Sequence, residues 1–166
     1  MHQQEKVPLL LYPNILHRET YLCNMQILNY INGSLQAPLN NNWLDNPEPA
    51  TGKVYSQIPD SDSDDVQMAV TAAKEAFPAW AALSRSERSD LLRKLSDLIL
   101  QNLDTLAAAE SRDNGKPLWL AKRVDIPRAA ENFRFFSNAV LQWHDEAHHM
   151  DGHFINYTTH QPIGVV

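Results

Sequence analysis

The sequence predicts a mainly α-helical chain with an N-terminal β-hairpin and C-terminal strands, on three observations. Leu91, Leu95, Leu98, Leu103 and Leu106 recur at helical spacing. Ile27-Leu28-Asn29-Tyr30-Ile31 runs into Asn32-Gly33, a dipeptide suited to a two-residue hairpin turn because both central positions need positive φ. Phe154-Ile155-Asn156-Tyr157-Thr158-Thr159-His160 alternates as a strand does. At 166 residues, 43% of them hydrophobic and 20% charged, the composition is that of one globular core rather than of a disordered chain.

Residues 1–24 show no sustained period, and their Pro, His and Gln mixture reads as a poorly ordered tail or upstream extension, with Met25 a natural start. After the hairpin, whose return strand begins at Ser34-Leu35-Gln36, comes a polar stretch with Pro47 and Pro49. Val54-Tyr55-Ser56-Gln57-Ile58-Pro59 then alternates as a short strand. Ser63 is placed to cap a helix whose first turn holds Asp64 and Asp65, and Val66, Ala69, Val70, Ala73 and Phe77 give it an apolar face until Pro78 ends or kinks it. Ser84-Arg85-Ser86-Glu87 is a capping-box pattern that opens one long helix from about Ser86 to Arg112, its leucine stripe read as core. The small residues Ala107 to Ala109 allow another element to approach closely near its end. Asn114-Gly115 supplies the positive φ of a helix stop, and Pro117 opens the next helix, where the first-turn N–H is unpaired anyway. Leu118, Leu120, Ala121 and Val124 keep the helical rhythm up to Pro127, and a further helix runs through Ala130, Phe133, Val140 and Leu141. Phe133, Phe135, Phe136 and Trp143 mark core or interface, and Pro162-Ile163-Gly164-Val165-Val166 reads as the start of a buried strand.

A formal net charge of −6 with interspersed signs argues against a nucleic-acid or anionic-membrane surface, since either partner would call for clustered Lys and Arg. Arg85, Arg88, Arg93 and Lys94 alternate with Glu87 and Asp90 as a solvated helix face does. No apolar run approaches a membrane span, and Val7-Pro8-Leu9-Leu10-Leu11-Tyr12 lacks the flanks and cleavage site of a secretory leader. The lone Cys23 excludes an internal disulfide framework, so the expected compartment is cytoplasmic.

Cys23 has no nearby base, so its nucleophile reading is weak. His144 and His148 would share a face if their segment were helical and could then hold a metal, although Asp145 stands where a zinc-protease pattern needs Glu. A solvated, cationic helix end is the plainer reading of those histidines. Gly33, Gly52, Gly115, Gly152 and Gly164 form no phosphate loop, and there is no serine nucleophile elbow. Taken alone, this chemistry predicts no catalyst.

Eight motifs in order nevertheless carry a resemblance. They are Tyr30-Ile31-Asn32-Gly33, Glu48-Pro49-Ala50-Thr51-Gly52, Asp65-Val66 with Ala69-Val70 and Ala72-Ala73, and Ala76-Phe77-Pro78-Ala79-Trp80. Glu87-Arg88, Asp113-Asn114-Gly115-Lys116-Pro117, Asn132-Phe133-Arg134-Phe135-Phe136 and Tyr157-Thr158 with Gln161-Pro162-Ile163-Gly164-Val165-Val166 complete the series. Together they resemble the amino-terminal part of the aldehyde dehydrogenase superfamily, over Leu28 to Val166, with Glu48 departing from the family's usual Asn. Asp125-Ile126-Pro127-Arg128 ahead of Asn132 resembles the branch acting on 2-aminomuconic and hydroxymuconic semialdehydes.

The resemblance implies an α/β family fold, with residues 25–166 as the amino-terminal part of the domain, ending before the cofactor-binding core. It implies a homo-oligomeric enzyme that oxidises an aldehyde to a carboxylic acid with NAD or NADP. Its nucleophile, general base and cofactor site would lie downstream of Val166, so this chain is expected to be inactive alone. It also implies part of a monovalent cation site through the backbone carbonyls of Asn46, Pro47 and Asp113. The hairpin near Tyr30 and the strand near Tyr157 would belong to an oligomerisation sheet, while the helices would pack on the cofactor domain. The alternative is a small helical interaction module that pairs with a full-length relative through open strand edges.

Overall fold

A computed structural model describes residues 25–166, so the tail reading of residues 1–24, and Cys23 with it, lies outside the described residues. The elements run β1 (Asn29–Ile31), β2 (Ser34–Gln36), β3 (Trp43–Glu48), β4 (Lys53–Pro59), α1 (Ser63–Ala82), α2 (Arg85–Gln101) and α3 (Leu103–Asn114). They continue with a single turn α4 (Leu118–Leu120), a π turn (Ala121–Asp125), α5 (Ile126–Gln142), β5 (Ala147–Met150) and β6 (Phe154–Tyr157). The strands form three separate antiparallel pairs, β1–β2, β3–β4 and β5–β6. Helices thus predominate between strands at the two ends, as the periodicities predict.

Asn32 and Gly33 turn β1 into β2 with φ of 50° and 78°. β3 is an addition to the reading from sequence: Asn46 and Pro47 gave no alternating signal, because the register shifts between them and Pro47 brings no N–H to the ladder.

Asp62, not Ser63, caps α1. Its carboxylate accepts the N–H groups of Asp64 (2.9 Å) and Asp65 (3.4 Å), while Asp65 reaches back to the Asp62 N–H. The other carboxylate oxygen of the buried Asp65 accepts the Leu39 N–H at 3.0 Å, tying the loop after β2 to the helix start. Helix α1 neither ends nor breaks at Pro78 but continues to Ala82. The single long helix expected from Ser86 to Arg112 is interrupted at Asn102, whose φ of −106° and ψ of 20° leave the helical region. Its side-chain amide donates to the Leu98 carbonyl at 2.8 Å, so side-chain chemistry rather than periodicity decides the break.

The leucine stripe is not the core of the described residues. The buried residues of α2 are Ser89 and Ser96, two turns apart, and those of α5, along which α2 packs, are Ala130 and Ser137. Small side chains bring the two helices close together, and Leu91, Leu95 and Leu98 stay exposed. Ala107 of α3 and Ala121 of the π turn repeat the arrangement, both wholly buried where those elements meet. Pro127 sits in the first turn of α5, as expected. Residues 162–166 form no strand, and Ile163 and Val166 are exposed. Among the described residues no strand lies beside the terminal valines.

Two substitutions separate these roles in urea unfolding. Asp65→Ala removes an acceptor shared by a helix cap and a loop and should cost about 1–3 kcal/mol. Ser96 Oγ is buried without a hydrogen-bond partner among the described residues. Ser96→Ala should therefore be neutral or stabilising by up to about 1 kcal/mol.

Candidate functional site

The described residues of the candidate site meet where the α3 stop abuts the β3–β4 hairpin. Gly115 closes α3 at φ 77°, and its N–H returns to the Ser111 carbonyl at 3.0 Å. A Cβ on Gly115 would stand 3.1 Å from Pro49 Cβ, so both backbone angle and space call for glycine. This close approach lays Asp113 against the bulge in β3. Tyr55 donates its hydroxyl proton to Asp113 Oδ1 at 3.0 Å. The Asn46 amide faces Tyr55 Oη and Ser56 Oγ, each at 3.1 Å, and reaches Asp113 Oδ1 at 3.4 Å. Arg112 lies over the Tyr55 ring, 4.4 Å from its centroid, with its Nε 3.9 Å from the Glu48 carboxylate.

Burial pushes the Tyr55 phenol above its ordinary range, and the bond to Asp113 and that carboxylate's charge push it further the same way. The native state therefore keeps its phenolic proton to higher pH than the unfolded chain. Its contribution to stability is fully present below the ordinary tyrosine pKa and is lost as pH rises through the raised one. The hinge is held from its other side by Lys116, whose ammonium bridges Asp125 at 2.7 Å and Glu110 at 2.8 Å. These partners, Asp125 first, raise the lysine's pKa.

Of the residues singled out from sequence, Asn46 and Asp113 come together through their side chains, and Pro47 lies at the bulge beside them, opposite Val54. Tyr55, Ser56 and Arg112 complete the cluster. Strand alternation alone could have marked Tyr55 as inward-facing, but nothing local links it to Asp113. This network ties the α3 stop to the β3–β4 hairpin. His144 and His148 do not share a helix face, since α5 stops at Gln142 and His148 lies in β5. No group of three His, Cys, Asp or Glu side chains among the described residues is arranged to hold a metal ion. Gly33, Gly52, Gly115, Gly152 and Gly164 all have positive φ and lie at separate places in the chain.

An alkaline spectrophotometric titration should show a late-ionising component that is absent in Tyr55→Phe. Asp113→Asn should bring that ionisation back toward the ordinary range. An unchanged titration in Asp113→Asn would contradict the assigned bond.

The family model described as "Aldehyde dehydrogenase family" matches residues 38–166. The chain is 47% identical over 139 residues to a 2-aminomuconic semialdehyde dehydrogenase of Danio rerio, covering 82% of this chain and 28% of that protein. It is 40% identical over 140 residues to the 5-carboxymethyl-2-hydroxymuconate semialdehyde dehydrogenase of Escherichia coli, covering 84% of this chain and 30% of that one. An aldehyde dehydrogenase from Bacillus cereus, solved with NAD+, superposes with a TM-score of 0.79 at 31% identity over 83% of this chain and 28% of its own. The chain thus spans less than a third of the length of these relatives. With the family's sequence pattern and its fold both covering most of its residues, the chain belongs to the aldehyde dehydrogenase family.

Proposed function

We propose that residues 25–166 act as the amino-terminal segment of an NAD-dependent dehydrogenase that oxidises a muconic-type semialdehyde to its carboxylic acid. The observation that carries this reading is the 47% identity to the 2-aminomuconic semialdehyde dehydrogenase, sustained over most of the chain. NAD is taken as the hydride acceptor because the Bacillus cereus relative was solved with it, and NADP is the family's other option. When bound, that cofactor supplies the two-electron oxidation.

In this reading the chain contributes scaffold and not chemistry. Residues 25–166 contain no cysteine to attack a carbonyl, since the sole Cys is Cys23. Their work is to present the exposed apolar face of α2 and α5, including Leu91, Leu95, Phe135 and Phe136, to the cofactor-binding part of the enzyme. The Asn46–Tyr55–Asp113 network fixes the corner whose carbonyls at Asn46, Pro47 and Asp113 contribute part of a monovalent cation site. No helix of the described residues is long and apolar enough to cross a membrane. The lone Cys23 suits a cytoplasmic protein, and the family resemblance suggests a homo-oligomer. A second reading, an interaction module that pairs with a full-length relative, is favoured by the exposed Phe154, Ile155 and Tyr157 of β6.

Incubating the purified 166-residue chain with a muconic semialdehyde and NAD should give no absorbance increase at 340 nm. Measurable turnover by the chain alone would overturn the scaffold reading. An interaction module would reveal itself differently, by shifting the light-scattering mass of an added full-length relative.

A further inference from the structure

The β5–β6 hairpin is a two-stranded arm, and all eight residues of its strands are exposed. Its own ladder sets its internal register but not its angle to the helices, because a lone pair of strands has no second layer to lean on. The angle must be set at the root. There the ladder is extended by the Thr158 N–H donating to the Glu146 carbonyl at 2.9 Å and by the Glu146 N–H donating to Thr158 Oγ1 at 3.1 Å.

One residue before Glu146, on the incoming leg, the carboxylate of Asp145 meets groups from the outgoing leg of the arm and from a helix. Its Oδ1 accepts the backbone N–H of His160 at 3.2 Å and lies 2.8 Å from the His160 ring Nδ1. Its Oδ2 lies 3.3 Å from the guanidinium of Arg85, the first residue of α2. Arg85 also donates to the Trp143 carbonyl, just past the end of α5. The Trp143 ring meets the His160 ring edge-on, with centroids 5.5 Å apart. Gln161 and Pro162, which follow, help wall a cavity of about 380 Å³ together with Trp80, Arg88 and Val140. His160 first, and Arg85 after it, hold the Asp145 carboxyl below the usual carboxylate range, so the acceptor is charged across neutral pH.

We infer that Asp145 is a positioning residue, the centre of a clasp with Arg85 and His160 that sets the pitch of the β5–β6 arm and the direction in which residues 160–166 leave the helices. The consequence for catalysis rests on the function proposed above, in which the segment after His160 leads toward the cofactor-binding core. An error at the clasp would then displace the arm and the core together. The clasp itself is a property of this chain and is tested without substrate.

Hydrogen exchange on the full chain at neutral pH reads it directly. In Asp145→Ala, exchange of the His160 amide should rise by about ten-fold or more, while the interiors of α2 and α5 keep their protection. Arg85→Gln, which cuts the clasp from the helix side, should loosen the same segment if Asp145→Ala does not fold. Spin labels at His153→Cys and Lys94→Cys, on a Cys23→Ser background, should give a narrow distance distribution that broadens in Asp145→Ala. An unchanged His160 amide and an unchanged label distribution would overturn the clasp. A rise in exchange spread evenly over α2 and α5 would overturn it too, because Asp145 would then be supporting the fold at large. None of these results depends on turnover, so failure of the clasp leaves the dehydrogenase reading standing, and detection of turnover by the chain alone leaves the clasp untouched.

Discussion

The contact between α2 and α5 governs the rest of this structure. Long side chains at a helix crossing hold the axes apart, whereas Ser89, Ser96, Ala130 and Ser137 let the two helices lie close along their length. Close packing gathers dispersion contacts from backbone as well as side-chain atoms, and it turns the larger side chains outward. Arg134 and Asp97 add an ion pair between the same helices at 2.5 Å, in an exposed setting where such pairs add little. The small-residue seam, more than charge, defines the helical body that the described strand pairs flank.

What projects at each end is held by a carboxylate. Asp65 joins the loop after β2 to α1, Asp113 joins the α3 stop to the β3–β4 hairpin, and Asp145 joins the β5–β6 arm to α2. Each accepts from groups that are distant in sequence. An ionised carboxyl suits this task because its two oxygens accept several hydrogen bonds in different directions, and bonds to a charged acceptor are stronger than neutral ones. Asp65 is the buried member of the set, and its partners are backbone N–H groups rather than cations. Its burial is accommodated by the backbone donors and the helix N-terminus that face it.

The exposed apolar surface acquires a meaning from family membership. Phe135 and Phe136, packed edge to face with ring centroids 5.2 Å apart, stand on α5 at 64% and 60% exposure, far beyond what aromatic side chains usually show in a finished surface. The chain covers less than a third of the length of the relatives it matches, and under the function proposed above this face would meet the cofactor-binding part of the enzyme. The Asn46–Tyr55–Asp113 network lies on β3, β4 and α3, apart from Phe135 and Phe136 on α5.

By itself the sequence determined the order and kind of most elements, the capping box at Ser84, the stop at Gly115, and family membership through eight spaced motifs. These are local or serial properties: a turn dipeptide, a cap or a periodic stripe acts within a few residues and needs no partner from elsewhere. Only the tertiary structure decided that Ser89 and Ser96, rather than the leucines, form the inner face of α2, because which stripe is buried depends on the surface it meets. The same holds for β3, which exists through its pairing with β4, and for His148, drawn into a strand by its pairing with Asn156. Tyr55 with Asp113, and Asp145 with Arg85, lie 58 and 60 residues apart, and no local rule connects groups that only folding brings within hydrogen-bond reach.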